Sequence, residues 1–337
     1  MRFTAPVVLR CDTACSVLRD AAVDVDTDGR IIRVGPVAGA PPADRVVELS
    51  GLLMPGLVNT HAHTPMAVLR GLGGDLPLLR WLREVMWPAE GRIGADDVRA
   101  GMVAGCVEML RGGITTSVEM YFFTDAVLDA VLDVGSRVVL TPGIIAVPGW
   151  DRLGTWQQMR DEVSARIDAH GVRSGPGDRV EFGYGPHAAY TLPVEALASV
   201  AEHALARDAL VHIHVAESAQ EDLDQRAAHG SVPALLDEVG LLDGRLLAAH
   251  AIQLSDADVA LLGARGAGVA HCPGSNAKLA AGIARTTALR RAGARVGLGT
   301  DGPASGDDLD LWAQARLAGL LARVDAGDAA ALTAAEL

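Results

Sequence analysis

The chain has 337 residues, half of them hydrophobic, and its 42 acidic against 29 basic residues leave a net charge of −13. That length suits one large domain, or one large and one small. No apolar stretch approaches the roughly eighteen residues of a membrane helix, and no basic block is present to neutralise phosphates, so neither a membrane nor nucleic acid is an expected partner.

The N-terminus, MRFTAPVVLRCDTAC, lacks a basic start followed by a long apolar stretch, so it does not read as a secretory leader and the cytoplasm is the expected compartment. Residues 1–53 then read as short strands, PVVLR, AAVDVDTDG, RIIRVG and RVVELSG, broken by Asp-Gly and Pro-Pro turns. They predict a small β unit of the sandwich type. Cys11 and Cys15 in this unit, like Cys106 and Cys272 further on, form no Cys-x-x-Cys pair and read as ordinary reduced thiols.

From Met54 onward the texture changes. Apolar runs ending in polar residues alternate with amphipathic stretches: LLMPGLVNTHAH, GITTSVEM, SRVVLTPGI, RVEFGYGPH, ALVHIHVAE, RLLAAHA, GAGVAHCPGSN and ARVGLGTDGPAS. Between them, PVEALASVAEHALARD places Val194, Leu197, Ala198, Ala201 and Leu205 at roughly helical spacing. Eight strands, each followed by a helix or long loop, predict an α/β fold of the (β/α)8 barrel type over residues 54–323, about 270 residues against the ~250 usual for that fold. Residues 324–337 read as the start of a further, truncated segment. An open doubly wound sheet competes, but no glycine-rich dinucleotide fingerprint follows the first run.

The polar residues decide between them. His61, His63, His187, His214, Glu217, His250, His271 and Asp301 all fall at or just past the C-terminal ends of different runs. In a barrel those ends converge on one mouth, where catalytic groups collect. In Asn59-Thr-His61-Ala-His63, side chains two apart share one strand face, so two imidazoles can chelate a borderline-soft ion. Taken alone, the pair could equally be two polar residues at a strand edge. His212 and His214 share a face by the same periodicity, and only one need be a ligand. Glu217 could hang over a metal or merely favour a helix N-terminus, and Asp301 before Gly-Pro could merely begin a turn. Jointly, His61, His63, His214 and Asp301 make a three-nitrogen, one-oxygen set with a position left for water, as a catalytic site keeps and a structural one lacks.

The motifs PGLVNTHAHTPMAVLRGL, HIHVAES, HCPGSNAKLAAGIA and GLGTDGPASGDDLDLW resemble the amidohydrolase superfamily, nearest its branch of S-adenosylhomocysteine/5′-methylthioadenosine deaminases and related triazine hydrolases. The resemblance runs from Leu53 to Arg323. It implies one divalent metal ion on His61, His63, His214 and Asp301, most often Zn2+ and sometimes Fe2+. Binuclear relatives bridge two ions with a carboxylated lysine; the only lysine here, Lys278, lies after the seventh run, so a mononuclear site is expected. The resemblance further implies Asp301 as acceptor of a proton from water, His250 as its orienting group, and Glu217 as the shuttle to a ring nitrogen. His271 stays open between the ligand shell and support of the Ser275-Asn276-Lys278 loop.

For the substrate, the resemblance implies a small-molecule adenine nucleoside: Trp81 against sugar or base, Glu90 on the ribose hydroxyls, and His187 on the purine. Without it, residues 78–90 read as an amphipathic helix with Trp81, Met86 and Trp87 in core. Two departures stand out. Where relatives of this branch often carry an arginine after the third run, this chain has Leu140-Thr-Pro142-Gly, with Arg152 ten residues later as a substitute for gripping the substrate tail. Family members also continue past the helix after strand eight, so either the chain is a fragment or residues 1–53 build the β unit alone. In the first case an exposed apolar surface would favour association, which leaves a homo-oligomer open. The expected activity is deamination of a nucleoside such as 5′-methylthioadenosine, S-adenosylhomocysteine or 5′-deoxyadenosine. The alternatives are hydrolysis of a triazine, pyrimidine or guanine-like ring, or an inactive barrel serving as a scaffold.

Overall fold

The alternating residues of the N-terminal segment fold into one mixed five-stranded sheet in a computed structural model that describes residues 1–337. Arg2–Leu9 pairs antiparallel with Val17–Val25, which pairs antiparallel with Ile31–Pro36; on its other edge Arg2–Leu9 pairs parallel with Val46–Glu48 and Leu52–Leu53. Ala5, Val8 and Ala21 form its core, with Leu18, Val23, Leu49 and Leu53 packed on them. Arg2 and Asp24 sit directly opposite in the ladder. Their side chains meet in a two-point ion pair, 2.6 and 3.0 Å, which pins the register.

The chain divides into two compact units, Met1–Leu57 and Val58–Leu337. In the second, all eight predicted runs become parallel strands: one (Leu57–Ala62), two (Ile114–Glu119), three (Arg137–Leu140), four (Val180–Pro186), five (Leu210–Val215), six (Arg245–His250), seven (Gly268–His271) and eight (Arg295–Leu298). Strand five is buried at five consecutive positions, as expected where helices cover one face of a parallel sheet and barrel side chains the other. The helices between strands include Ala95–Arg111, Thr124–Val134, Trp156–His170, Val194–Leu205 and Asp256–Ala264. No helix is long and apolar enough to cross a membrane.

Closure between strands one and eight has an identifiable cause. Ala62 bridges Asp301, and the Asp301 amide donates to His61 O at 3.0 Å. The Asn59 amide donates to Thr300 Oγ1 at 2.7 Å and accepts from the Thr300 amide at 3.0 Å. Gly299 permits the approach, since a Cβ there would lie 2.9 Å from both His61 Cβ and Cys272 Sγ. The Asn-Thr-His and Gly-Thr-Asp motifs are thus stitched into one seam, and the barrel is a nearly closed ring.

The segment after strand one is helical over Leu78–Trp81, Leu82–Met86 and Trp87–Glu90 in succession, with the middle part π-helical. Pro88 has no N–H for the ordinary helical bond, and the turn before it widens so that Trp87 N donates to Leu82 O. Trp81 and Met86 are buried, as the amphipathic reading expects, while Trp87 is half-buried.

Candidate active site

At the C-terminal ends of strands one, five and eight, four side chains converge. Asp301 Oδ1 lies 3.2 Å from His61 Nε2 and 3.3 Å from His63 Nε2, and His63 Nε2 lies 3.2 Å from His214 Nε2. His250 joins this neighbourhood: ligand atoms of His61, His214, His250 and Asp301 all lie within 4.8 Å of one another.

The hydrogen bonds assign the tautomers. A carbonyl can only accept, so His63 Nδ1–H donates to Met120 O at 2.6 Å and His214 Nδ1–H to His187 O at 2.7 Å. Thr141 Oγ1 donates to Glu119 O and therefore accepts from His212 Nδ1 at 3.0 Å. His212 Nε2 is then the acceptor for His61 Nδ1–H at 2.7 Å. His61, His63 and His214 consequently aim Nε2 lone pairs inward. Burial pushes the His61 imidazole down to about 3 and also lowers His63 and His214, so none carries a proton to spare near neutrality. Two lone pairs 3.2 Å apart repel each other unless a cation lies between them. Ligand atoms about a tetrahedral zinc with bonds of about 2.0–2.1 Å stand about 3.3–3.4 Å apart, so this donor set fits a divalent ion.

Asp301 is held for that role by its other oxygen, Oδ2, which accepts from Ser275 Oγ at 2.6 Å and Ser305 Oγ at 2.7 Å. Burial opposes its ionisation, but the His61 bond and the surrounding imidazoles keep it well below the usual carboxylate range. Ala216, His250, Ala251 and Asp301 all have positive φ, between 48° and 68°. Such non-glycine strain gathers where a site needs its side chains re-aimed.

Glu217 is buried beside this group, its backbone N–H donating to Glu221 Oε2 at 2.8 Å. Burial, and then the charge of Asp301, raise its carboxyl well above the ordinary range. Its Oε1 lies 3.6 Å from His250 Nε2, while His250 Nδ1 pairs with Asn276 Oδ1 at 2.8 Å.

One pocket of about 630 Å³, mouth included, joins these groups to the predicted substrate contacts. His63, His214, Asp301 and Glu217 line it together with Trp81, Trp87, Glu90, Phe122, Trp150 and His187. Its size and largely apolar wall suit a small organic ligand. Glu90 Oε1 accepts from Tyr121 Oη at 3.0 Å. Burial pushes its carboxyl up to about 7, against the Tyr121 bond and the Arg152 charge. Arg152 does not line the pocket: its Nη2 donates to Glu90 O at 2.7 Å, and its guanidinium lies over the Phe123 and Trp150 rings. His271 is buried with Nδ1 unpartnered, outside both the pocket and the ligand cluster. Lys278 clamps the loops after strands seven and eight through Asp307 and Ala304 O.

Sequence reading passed over Tyr121, Phe122, Trp150 and Tyr190, all of which line the pocket, and the serine pair on Asp301. Ser275 stands inside a quoted motif and Tyr190 three residues after His187, but no periodicity marks either as facing the site.

The amidohydrolase family profile matches residues 52–337. The chain is 40% identical over 316 residues to the 5′-deoxyadenosine deaminase of Methanothermobacter thermautotrophicus, covering 92% of this chain and 72% of that one. It is 39% identical over 334 residues to the 5-methylthioadenosine/S-adenosylhomocysteine deaminase of Pelotomaculum thermopropionicum, covering 98% and 75%. Among solved structures, a zinc-bound adenosine deaminase from Xanthomonas campestris superposes with a TM-score of 0.89 at 36% identity, over 99% of this chain and 76% of that one. With the profile spanning the whole barrel and relatives this similar along nearly all of its length, the chain belongs to the amidohydrolase family.

Proposed function

We propose that this protein is a metal-dependent aminohydrolase that converts an adenine nucleoside derivative to the inosine derivative and ammonia. The observation that carries the reading is a single pocket lined by His63, His214 and Asp301 of the ligand set, by the buried carboxyl of Glu217, and by an aromatic and carboxylate wall of Trp81, Trp87 and Glu90. The names of the similar deaminases support the same substrate class.

In this reading His61, His63, His214 and Asp301 hold one divalent ion, zinc by preference given the three nitrogens and one oxygen. When bound, such an ion supplies a water acidic enough to lose a proton near neutrality. Asp301 Oδ1 takes that proton, and His250, steadied by Asn276, orients the water. Glu217, protonated in its buried setting, delivers its proton to the ring nitrogen beside the amine-bearing carbon. The carbon–oxygen bond forms, the proton held on Asp301 passes to the amine, the carbon–nitrogen bond breaks with release of ammonia, and the proton of the added hydroxyl returns to Glu217 as the carbonyl forms. Trp81 packs on the nucleoside, His187 contacts the purine and Glu90 accepts from the ribose hydroxyls. We also assign a cytoplasmic setting, in keeping with four free cysteines.

The test is ammonia release by zinc-loaded protein from 5′-deoxyadenosine, 5′-methylthioadenosine, S-adenosylhomocysteine and adenosine, with free adenine, guanine and a chlorotriazine as controls. Turnover of the adenosine series is expected; turnover of the controls alone would remove the nucleoside reading. The tail accepted also reports on Arg152, which must leave Glu90 O to reach a carboxylate. Glu90→Ala is expected to raise KM for ribosides about 10- to 100-fold, the range for bonds to a charged group, with little change for free adenine. An equal rise for both would take Glu90 out of the sugar site.

A further inference from the structure

Two tyrosines that line the pocket, Tyr121 and Tyr190, have hydroxyls in different states. That of Tyr121 is committed to Glu90. That of Tyr190 is buried and has no hydrogen-bond partner. Buried hydroxyls are normally partnered, and each exception calls for a reason. Tyr190 lines the pocket with His187, Glu217 and Asp301, its ring edge-on to His187 at 5.9 Å and 89°.

Its placement is rigid. The turn after strand four is closed by Thr191 N donating to Ala188 O and by Ala188 N donating to Thr191 Oγ1, each at 3.1 Å. His187 Nδ1 also meets Thr191 Oγ1 at 3.1 Å, and His187 O is the carbonyl that accepts from both His214 N and His214 Nδ1. One turn therefore orients a metal-ligand candidate, a purine-contact candidate and the free hydroxyl together. Burial, and then the neighbouring carboxyls Glu217, Glu221 and Asp301, raise the phenol well above its ordinary value, so the oxygen keeps its proton and stays a donor.

We propose that the Tyr190 hydroxyl is a substrate-binding donor whose missing partner is a ring nitrogen of the heterocycle. The proposal rests on the adenine nucleoside reading above and deepens it. With one ring nitrogen serving Glu217 and another carrying the sugar, the remaining acceptors of an adenine ring are N3 and N7. The hydroxyl thereby favours fused rings that present a nitrogen at that point.

The test compares wild type with Tyr190→Phe, which keeps the ring and removes only the oxygen, on 5′-methylthioadenosine and its 3-deaza and 7-deaza analogues. Tyr190→Phe is expected to lower kcat/KM about tenfold on the parent nucleoside, the size of one neutral hydrogen bond. On one of the two analogues, the one lacking the accepting nitrogen, the variant and wild type should coincide. Where an analogue is not turned over, its inhibition constant against the parent replaces kcat/KM. A variant as active as wild type on the parent, or a penalty equal on all three compounds, overturns the proposal, and unchanged zinc content and melting temperature exclude a folding defect. A wild type inert on every adenine nucleoside is a different failure: it removes the nucleoside reading, and this proposal with it.

Discussion

Glu217→Gln is expected to lower kcat by about 10²- to 10⁴-fold, the usual worth of a placed general acid–base group, while the protein retains its full complement of zinc. Glutamine preserves the shape and the backbone N–H that donates to Glu221, but it cannot release a proton to a ring nitrogen. The metal should be unaffected, because Glu217 lies beside the ligand cluster and its nearest imidazole contact is 3.6 Å to His250. Zinc content by emission spectroscopy and single-turnover kinetics check both halves. An inactive variant that has also lost its zinc would move Glu217 from proton transfer into the ligand set.

Chelation of the divalent ion is expected to abolish deamination and to lower the melting temperature by several degrees, with zinc restoring both. The structural reason is the facing pair of lone pairs on His63 and His214, 3.2 Å apart, with both Nδ1 protons already committed to carbonyls. Neither ring can turn its proton inward without abandoning a buried carbonyl, so the cluster is at rest only around a cation. A ligand present at a thousand times its dissociation constant stabilises the fold by about 4 kcal/mol, which sets the scale of the thermal shift. Calorimetry with and without chelator measures it directly. Full activity after exhaustive chelation would dismiss the metal, and an unchanged melting temperature after the zinc has been removed would dismiss the repulsion argument.

Much of this arrangement was legible in one dimension. A barrel strand is buried on both faces, so it reads as a short apolar run, and its first exposed end is where polar chemistry gathers. That is why eight runs and the residues punctuating them were visible without coordinates. Period-two alternation likewise placed His212 and His214 on one face, yet it could not say which of them meets the metal candidates. The choice came from neighbours 27 to 151 residues away: Thr141 and His61 occupy both nitrogens of His212, while His187 O leaves Nε2 of His214 free. The same holds for the clasp between Asn59 and Thr300, 241 residues apart. Arg152, expected from the family resemblance as a substitute grip on the substrate tail, turned instead to the Glu90 carbonyl. Local sequence carries the pattern of burial because burial repeats with the backbone period. Which donor meets which acceptor is decided only when strands distant in the chain close into a ring, and it was that closure that selected the ligand candidates, turned Glu217 toward them and left the Tyr190 hydroxyl without a partner.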